Sequence, residues 1–461
     1  ITEISTKSTK ILIDLGHNLP SKKKEEDPKA NKEAIELLTE DCRAIFYTHY
    51  HGDHVDLYKH VPEGVDQYIG ETAKLVMQLK SERLATLKDD KIVSKENLIT
   101  LESFKTFQAK QQIKIGDITV TPYFVSHSAC DAYMFLIEAD GKRVLHTGDF
   151  REHGYQGKGL IPTIEHYIIE KPVDVLITEG TMLSRITEKV KHENDLKLEA
   201  IALMEKYKYV FVLGSSTDMD RLATFHQASK DSHRSFLCDD YQKKMLDIFT
   251  KSSGGKSDLY KFDNTYFYKH NHAGQLKTIK EKGFCMMVRS AHINTVKGLL
   301  ATLPAEETCF VYSMWTGYLK QGDNENQEYI NMWNLFPEER RVSIHTSGHA
   351  TPETLAKVCN LINPTTAIIP IHSEHSDAFL DLAITEELKN KIVLESTTNN
   401  DIEIIIHDEK GFYQRKMEYL ESLKPLQQKA KESLEYQPSL SWKEKNEQMN
   451  QLRGEELEKL K

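Results

Sequence analysis

Four potential metal ligands crowd into six residues of the segment FYTHYHGDHVDL: His49, His51, Asp53 and His54. The apolar run just before them, residues 44–47, reads as a short buried strand. Gly52 is expected to permit the tight turn. Imidazole nitrogen and carboxylate oxygen are groups that suit zinc at ~2.0–2.2 Å. His49 and His51 alternate and can converge on one ion. Asp53 and His54 lie one step further on, placed to reach a second. A lone His beside a strand is ordinarily structural, but four such residues in this order on one loop are not.

The remaining ligands must come from elsewhere in the chain, and three segments offer them just after strand-like runs. TPYFVSHSACDAYMF brings His127. KRVLHTGDFREHG brings Asp149 behind a Thr147–Gly148 turn. TTAIIPIHSEHSDAF brings His372 after an apolar run at 367–371. Other short runs at 11–15, 144–145, 173–177, 210–213 and 310–312 also read as buried strands. Helical stretches at 71–88 and 351–362 alternate with them, so the fold class is α/β. The second helix is clearly signalled, with Thr351 placed to cap it and Pro352 at its first position.

As a set these pieces resemble the metallo-β-lactamase fold: H-x-H-x-D-H, a single His, a strand ending in Asp and a late His. The resemblance implies an αββα sandwich with two metals between its sheets. By that match His49, His51 and His127 would hold one Zn²⁺ and Asp53, His54 and His372 the other, with Asp149 bridging them. Mn²⁺ or Mg²⁺ are the substitutes to consider. Asp14, in ILIDLG, matches the family's early Asp, which braces the metal loops.

LITEGT, IHTSGHA and IPIHSE are similar to three motifs of the β-CASP nuclease branch, and the last two are ribonuclease J-like. They supply Glu179, His349 and His372. This second resemblance implies an inserted α/β β-CASP domain at 184–347, between metallo-β-lactamase portions at 1–183 and 348–415. The catalytic candidates are then Asp53, Glu179 and His349. His349 is the natural proton donor to a leaving oxygen, oriented by Glu179. Ser347, Gly348 and His349 precede a helix start, where free backbone N–H groups would bind substrate phosphate. Gly214–Thr217, with Arg221 nearby, offers a weaker version of the same arrangement, and a plain strand-to-helix turn accounts for that segment equally well. His345, His146, His17 and His375 receive no ligand role. Trp315 and Tyr318 could stack on bases, with core packing as the safer expectation.

Charge and composition narrow the function classes. The net charge of −10 argues against a protein that coats nucleic acid through a basic surface, although bound metal ions can dominate a local field. No apolar run approaches the length of a membrane span. Six scattered cysteines without a C-x-x-C pair suit a reducing cytoplasm. The chain opens inside a strand-like run at Ile1, so a short preceding piece is expected. Residues 416–461 change character: rich in Lys, Glu and Gln, they read as a charged helical tail. Lys22, Lys23 and Lys24 fall in a surface loop near the site and could touch phosphates.

Three classes of function compete. The first is a two-zinc nuclease hydrolysing single-stranded RNA, with 5′-to-3′ exonuclease activity and with DNA-directed or purely endonucleolytic cutting as its variants. The second is a small-molecule ester or thioester hydrolase on the same fold. The third is a catalytically dead subunit, which would lack ligands. The long insertion and the Glu179–His349 pair favour the first. A homodimer is the assembly to consider.

Overall fold

The computed structural model describes residues 1–17, 28–87, 91–185, 188–255, 257–269, 272–322 and 324–394. The chain separates into two units, Ile1–Glu395 and Ser396–Lys461, and every described residue belongs to the first. The charged tail at 416–461 and Lys22–Lys24 therefore lie outside the described residues.

Among the described residues, seventeen strands form three sheets. The first runs β1 (Thr2–Ser5), β2 (Lys10–Ile13), β3 (Cys42–Phe46), β4 (Asp66–Gly70) and β5 (Lys105–Phe107), in that spatial order. The second contains β6 (Ile113–Ile115), β7 (Ile118–Val125), β8 (Ala132–Ala139), β9 (Lys142–His146) and β10 (Val175–Glu179). The third, entirely parallel, takes all its strands from one stretch: β11 (Tyr209–Gly214), β12 (Ser235–Cys238), β13 (Thr265–Phe267), β14 (Phe284–Val288), β15 (Thr308–Ser313) and β16 (Arg341–Ser343). The chain then returns to the second sheet as β17 (Ala367–Ile371), parallel to β10.

Alternation along the strands puts the first two sheets face to face. Ile11, Ile13, Ala44 and Phe46 pack with Val120, Tyr133, Phe135 and Ile137 in one core. Their neighbours Leu12, Ile45 and Tyr47 face the opposite way into a second core, and Met134 and Leu136 into a third. The helix Pro352–Ile362 covers the outer face of the second sheet through Leu355, Val358, Cys359 and Ile362. Its signals work as read: Thr351 accepts the Thr354 N–H, Pro352 opens the helix, and Asn363 ends it in a left-handed conformation. The helix Glu71–Leu87 likewise matches the expected stretch. The result is the expected sandwich of two sheets with helices outside them. All six cysteines are buried and unpaired.

This topology gathers the chemistry at one edge. β2, β3, β7, β9, β10 and β17 all end beside the residues singled out in the sequence. Carboxyl ends of parallel strands are where open α/β sheets form their sites, because loops from several strands converge there.

Candidate metal centre

Each ligand loop leaves its strand through a local conformation that the sequence specifies. Gly148 has φ +55°, and a Cβ there would lie 2.9 Å from Thr48 and from the Tyr133 carbonyl. Only glycine makes the turn that delivers Asp149. Asp14 (φ 60°) and His372 (φ 49°) hold the same left-handed region without being glycine, a strain that persists where neighbours over-determine the residue. Gly52 differs from expectation. It does not take positive φ but opens the one-turn helix Gly52–Val55, where a Cβ would meet the Asp56 carboxylate at 2.6 Å. Its small size, rather than its conformational freedom, is what the loop uses.

Asp14 sits beneath the cluster as a brace. Its carboxylate accepts the Thr48 backbone N–H (2.7 Å) and the Thr48 hydroxyl (2.8 Å), and it pairs with His54 Nδ1 at 2.8 Å. A carboxylate can only accept, so His54 Nδ1 carries a proton and Nε2 is left for other partners. Thr48 Oγ also lies 3.1 Å from His49 Nδ1. His127 Nδ1 donates to the Gly348 carbonyl at 2.6 Å, and His372 Nδ1 is held by Thr181 Oγ at 2.7 Å. Fixing one imidazole nitrogen to aim the other is the usual support of a metal-ligating histidine.

The free nitrogens converge. His51 Nδ1 lies 3.0 Å from His49 Nε2 and 3.1 Å from His127 Nε2. Asp53 Oδ2 lies 2.8 Å from His372 Nε2 and 3.7 Å from His54 Nε2. Asp149 Oδ2 stands between the two groups: 3.2 Å from His54 Nε2, 3.7 Å from His372 Nε2, 3.8 Å from His127 Nε2 and 4.0 Å from His49 Nε2. All seven sequence candidates are thus brought together as two donor sets, His49/His51/His127 and Asp53/His54/His372, with Asp149 against both. The donors fit a divalent metal ion. His54 Nε2 and Asp149 Oδ1 are buried with no hydrogen-bond partner, which buried polar atoms rarely tolerate.

Electrostatics follow from this crowding. Burial, and then the neighbouring imidazoles, hold His49 and His127 well below the ordinary histidine range; burial brings His51 to about 4. Neutral imidazole is the ligating form. Burial pushes Asp149 upward, but His372, His54 and His349 outweigh it and keep the carboxyl well below its usual range. Asp53 falls to about 2, its His372 and His54 contacts outweighing burial. The Asp149 charge is the main reason that His372 rises to about 9.

His349 and Glu179 stand beside the donor sets. Glu179, fully buried, accepts the Phe150 and Ala350 N–H groups on one oxygen and His349 Nδ1 at 2.8 Å on the other. His349 Nδ1 is also 3.6 Å from Asp149 and forms a further donor group with it and His127. Ser347 is buried, and its hydroxyl accepts the His349 N–H at 3.2 Å, leaving Gly348 and His349 as the partly exposed members of the loop.

Arg221 departs from the sequence reading. It is 1% exposed, and its guanidinium is taken up by Glu193, Ser313 and the Thr346 carbonyl, so it is no phosphate contact. The adjoining helix Met219–Asp231 is capped by the Asp218 carboxylate, which already occupies the place an anion would take. Trp315 is half-buried under Arg185, whose guanidinium lies 4.4 Å from the ring centre. No described group of possible metal donors includes His345, His146, His17 or His375.

Among the described residues no helix is long and apolar enough to cross a membrane. Residues 9–212 match the family model described as Beta-lactamase superfamily domain, and residues 338–394 the one described as Zn-dependent metallo-hydrolase RNA specificity domain. The chain is 24% identical over 361 residues to Endoribonuclease YSH1 of Mycosarcoma maydis, covering 72% of this chain and 36% of that protein. It is 22% identical over 350 residues to Ribonuclease J of Mycoplasma genitalium, covering 72% and 58%. With Ribonuclease J of Mycoplasma pneumoniae the figures are 22% over 363 residues, 74% and 60%. The chain thus spans between about a third and three fifths of the length of these relatives. A crystal structure of a protein of unknown function from Enterococcus faecalis shares the fold, with a TM-score of 0.64 at 18% identity over 86% of this chain and 94% of that one. With the ligand loops of a metallo-β-lactamase at one edge of its sandwich and both family models matched, the chain belongs to the β-CASP nuclease family of the metallo-β-lactamase fold.

Proposed function

We propose that the chain is a zinc-dependent nuclease that hydrolyses phosphodiester bonds of single-stranded RNA. The observation that carries this reading is the buried Glu179 carboxylate bonded to His349 Nδ1 at 2.8 Å, immediately beside two metal-donor sets. An ester or thioester hydrolase would need the donor sets but not this pair.

His49, His51 and His127 would hold one ion and Asp53, His54 and His372 the other, with Asp149 shared. Two divalent ions bound there would acidify water and neutralise charge on the phosphodiester. The protein's own groups do the rest. Glu179 accepts the Nδ1–H of His349 and so orients the ring; in the imidazolium form, which carries a proton on Nε2 as well, that second proton would pass to the leaving oxygen and leave neutral His349 behind. Gly348 and His349 would contact phosphate oxygens, while Ser347 holds the His349 N–H. Asp53 anchors His372. Residues 184–347 would form the inserted β-CASP domain that the strand enters against, and 1–183 with 348–415 the metal-binding domain.

RNA as the substrate is supported by the relatives' names and by the RNA specificity model at 338–394. A 5′-to-3′ exonuclease direction rests on the ribonuclease J-like motifs IHTSGHA and IPIHSE alone, since Arg221, near the second suggested phosphate site, is taken up by Glu193, Ser313 and Thr346. Internal cutting is the second reading, and the endoribonuclease relative favours it. Six buried free thiols suit a cytoplasmic location, and a homodimer is compatible with this reading.

The test is a product ladder from end-labelled RNA and DNA carrying a 5′-monophosphate or a 5′-triphosphate. Mononucleotides released first from the monophosphorylated RNA support the full proposal. Internal fragments alone would refute the direction. Cleavage confined to DNA would refute the substrate.

A further inference from the structure

Behind the metal donors lies a second cluster of charge that the proposed chemistry does not use. Arg151, Glu193 and Arg221 are 0%, 0% and 1% exposed. Arg151 Nη1 donates to Glu193 Oε1 at 3.1 Å and Nη2 to Asp220 Oδ2 at 3.0 Å. Arg221 donates to both oxygens of the same Glu193, at 3.0 and 3.1 Å. A buried ion network is a poor source of net stability, because desolvation offsets much of the attraction. Its presence therefore calls for an account of what it holds in place.

It holds the loops of the site. Arg151 follows Asp149 by two residues, and its backbone N–H donates to Ser126 O at 2.7 Å, beside His127. Its side chain donates to the Ser347 carbonyl at 3.2 Å, two residues before His349. One residue thus touches the Asp149, His127 and His349 loops. Arg221 continues the line, donating to Thr346 O at 3.2 Å and lying 3.2 Å from His345 Nδ1. His153 Nε2 adds 2.7 Å to Ser347 O. Three consecutive residues ahead of His349 are pinned by cationic or imidazole donors. Glu193 and Arg221 sit on the helices Glu193–Lys206 and Met219–Asp231, which flank β11 of the third sheet.

We propose that Arg151, clamped by Glu193 and Asp220, is a positioning residue that sets His349 against Asp149, and that Glu193 and Arg221 tie this setting to the third sheet. A planar fork of donors is what the arrangement needs: three acceptors in three directions, which a point charge would not reach together. Misplacement of a reacting group by about 1 Å can cost ~100-fold in rate.

The proposal rests on the nuclease reading only for its rate measurement, and a second readout is independent of activity. Arg151→Lys is compared with wild type for hydrolysis of single-stranded RNA, for zinc per chain, and for hydrogen exchange of backbone amides at 345–349 in metal-free protein. Val296→Ala, a buried change in the third sheet's own core, serves as a generally destabilised control. The expected result for Arg151→Lys is a kcat lower by ~10–100-fold, a KM and zinc content close to wild type, and faster exchange confined to 345–349. The control should lower thermal stability while kcat per folded molecule and exchange at 345–349 stay at wild-type values. Unchanged exchange at 345–349 in Arg151→Lys would overturn the proposal, as would an unchanged kcat. Wild-type protein that cleaves no RNA would overturn the nuclease reading instead, and the exchange result alone would then decide the positioning role. Should Arg151→Lys fail to fold, Glu193→Gln is read by the same measurements with the same expected pattern.

Discussion

Replacing Asp14 with asparagine changes almost nothing in shape and reverses one proton. The native carboxylate accepts from Thr48 N and Thr48 Oγ and fixes the proton of His54 on Nδ1, 2.8 Å away. Asparagine can keep its oxygen on the Thr48 N–H, but its NH₂ then faces His54 Nδ1. Two donors cannot share that contact, so the imidazole must accept at Nδ1 and carry its proton on Nε2. Nε2 is the buried nitrogen left without a hydrogen bond, 3.2 Å from Asp149; protonated, it has no lone pair for a metal. Loss of such an orienting partner typically costs 10–100-fold in metal affinity, or about 1.4–2.7 kcal/mol. Asp14→Asn should therefore bind one ion nearly as tightly as wild type, through His49, His51 and His127, and the other ~10–100-fold more weakly. Zinc titration against a chelating indicator resolves the two steps. Wild-type affinity at both would refute the tautomer reasoning, and equal weakening of both would show that Asp14 braces the whole loop rather than His54.

Four further outcomes are expected. His349→Ala should lower cleavage by ~10²–10⁴-fold with zinc per chain, by elemental analysis, close to wild type; loss of an ion would make His349 a ligand instead. Asp149→Ala should be the most damaging ligand change in combined zinc and activity assays, because its Oδ2 lies within 4.0 Å of four imidazole nitrogens from both donor sets. Glu179→Gln should impair cleavage more than zinc binding, since it weakens the hold on His349 without touching the donors; a drop in zinc with undiminished turnover per bound ion would contradict this. Glu193 is held at about 2, Arg221 and Arg151 outweighing burial, against an ordinary value of 4.5. A depressed carboxyl contributes stability that is present above its unfolded pKa and is lost as pH falls through the folded one. Thermal stability should therefore drop between about pH 4.5 and 2, and more steeply in wild type than in Glu193→Gln.

The parts of the site that were legible in the sequence are those that chemistry writes locally. Phe46 to Leu57 announces itself because four ligands share one loop. Asp149 and His372 could be found because each follows a short apolar strand, and strand ends in an α/β sheet converge; Glu179, the last residue of its strand, came from resemblance. Asp14 came from resemblance, and the structure supplies its physical role: one carboxylate oxygen pair serving Thr48 and His54. The Arg151–Glu193–Arg221 network was not legible. Its members are 42 and 28 residues apart, and nothing in DFREHG, KHENDL or DMDRLA signals burial of a charge. Arg221 was misread for the same reason, as an arginine near a helix start ordinarily faces solvent. The order of the third sheet, β13-β12-β14-β11-β15-β16, also escaped the sequence, because every strand in it is parallel and the periodicity of a buried strand does not say which neighbour it takes.

The most direct measurement is stepwise return of zinc to chelator-treated, metal-free protein while RNA cleavage is followed. The expected result is no cleavage without metal, binding that saturates at about two ions per chain, and activity that appears as the second site fills. Undiminished cleavage by protein shown by elemental analysis to hold no metal would contradict it.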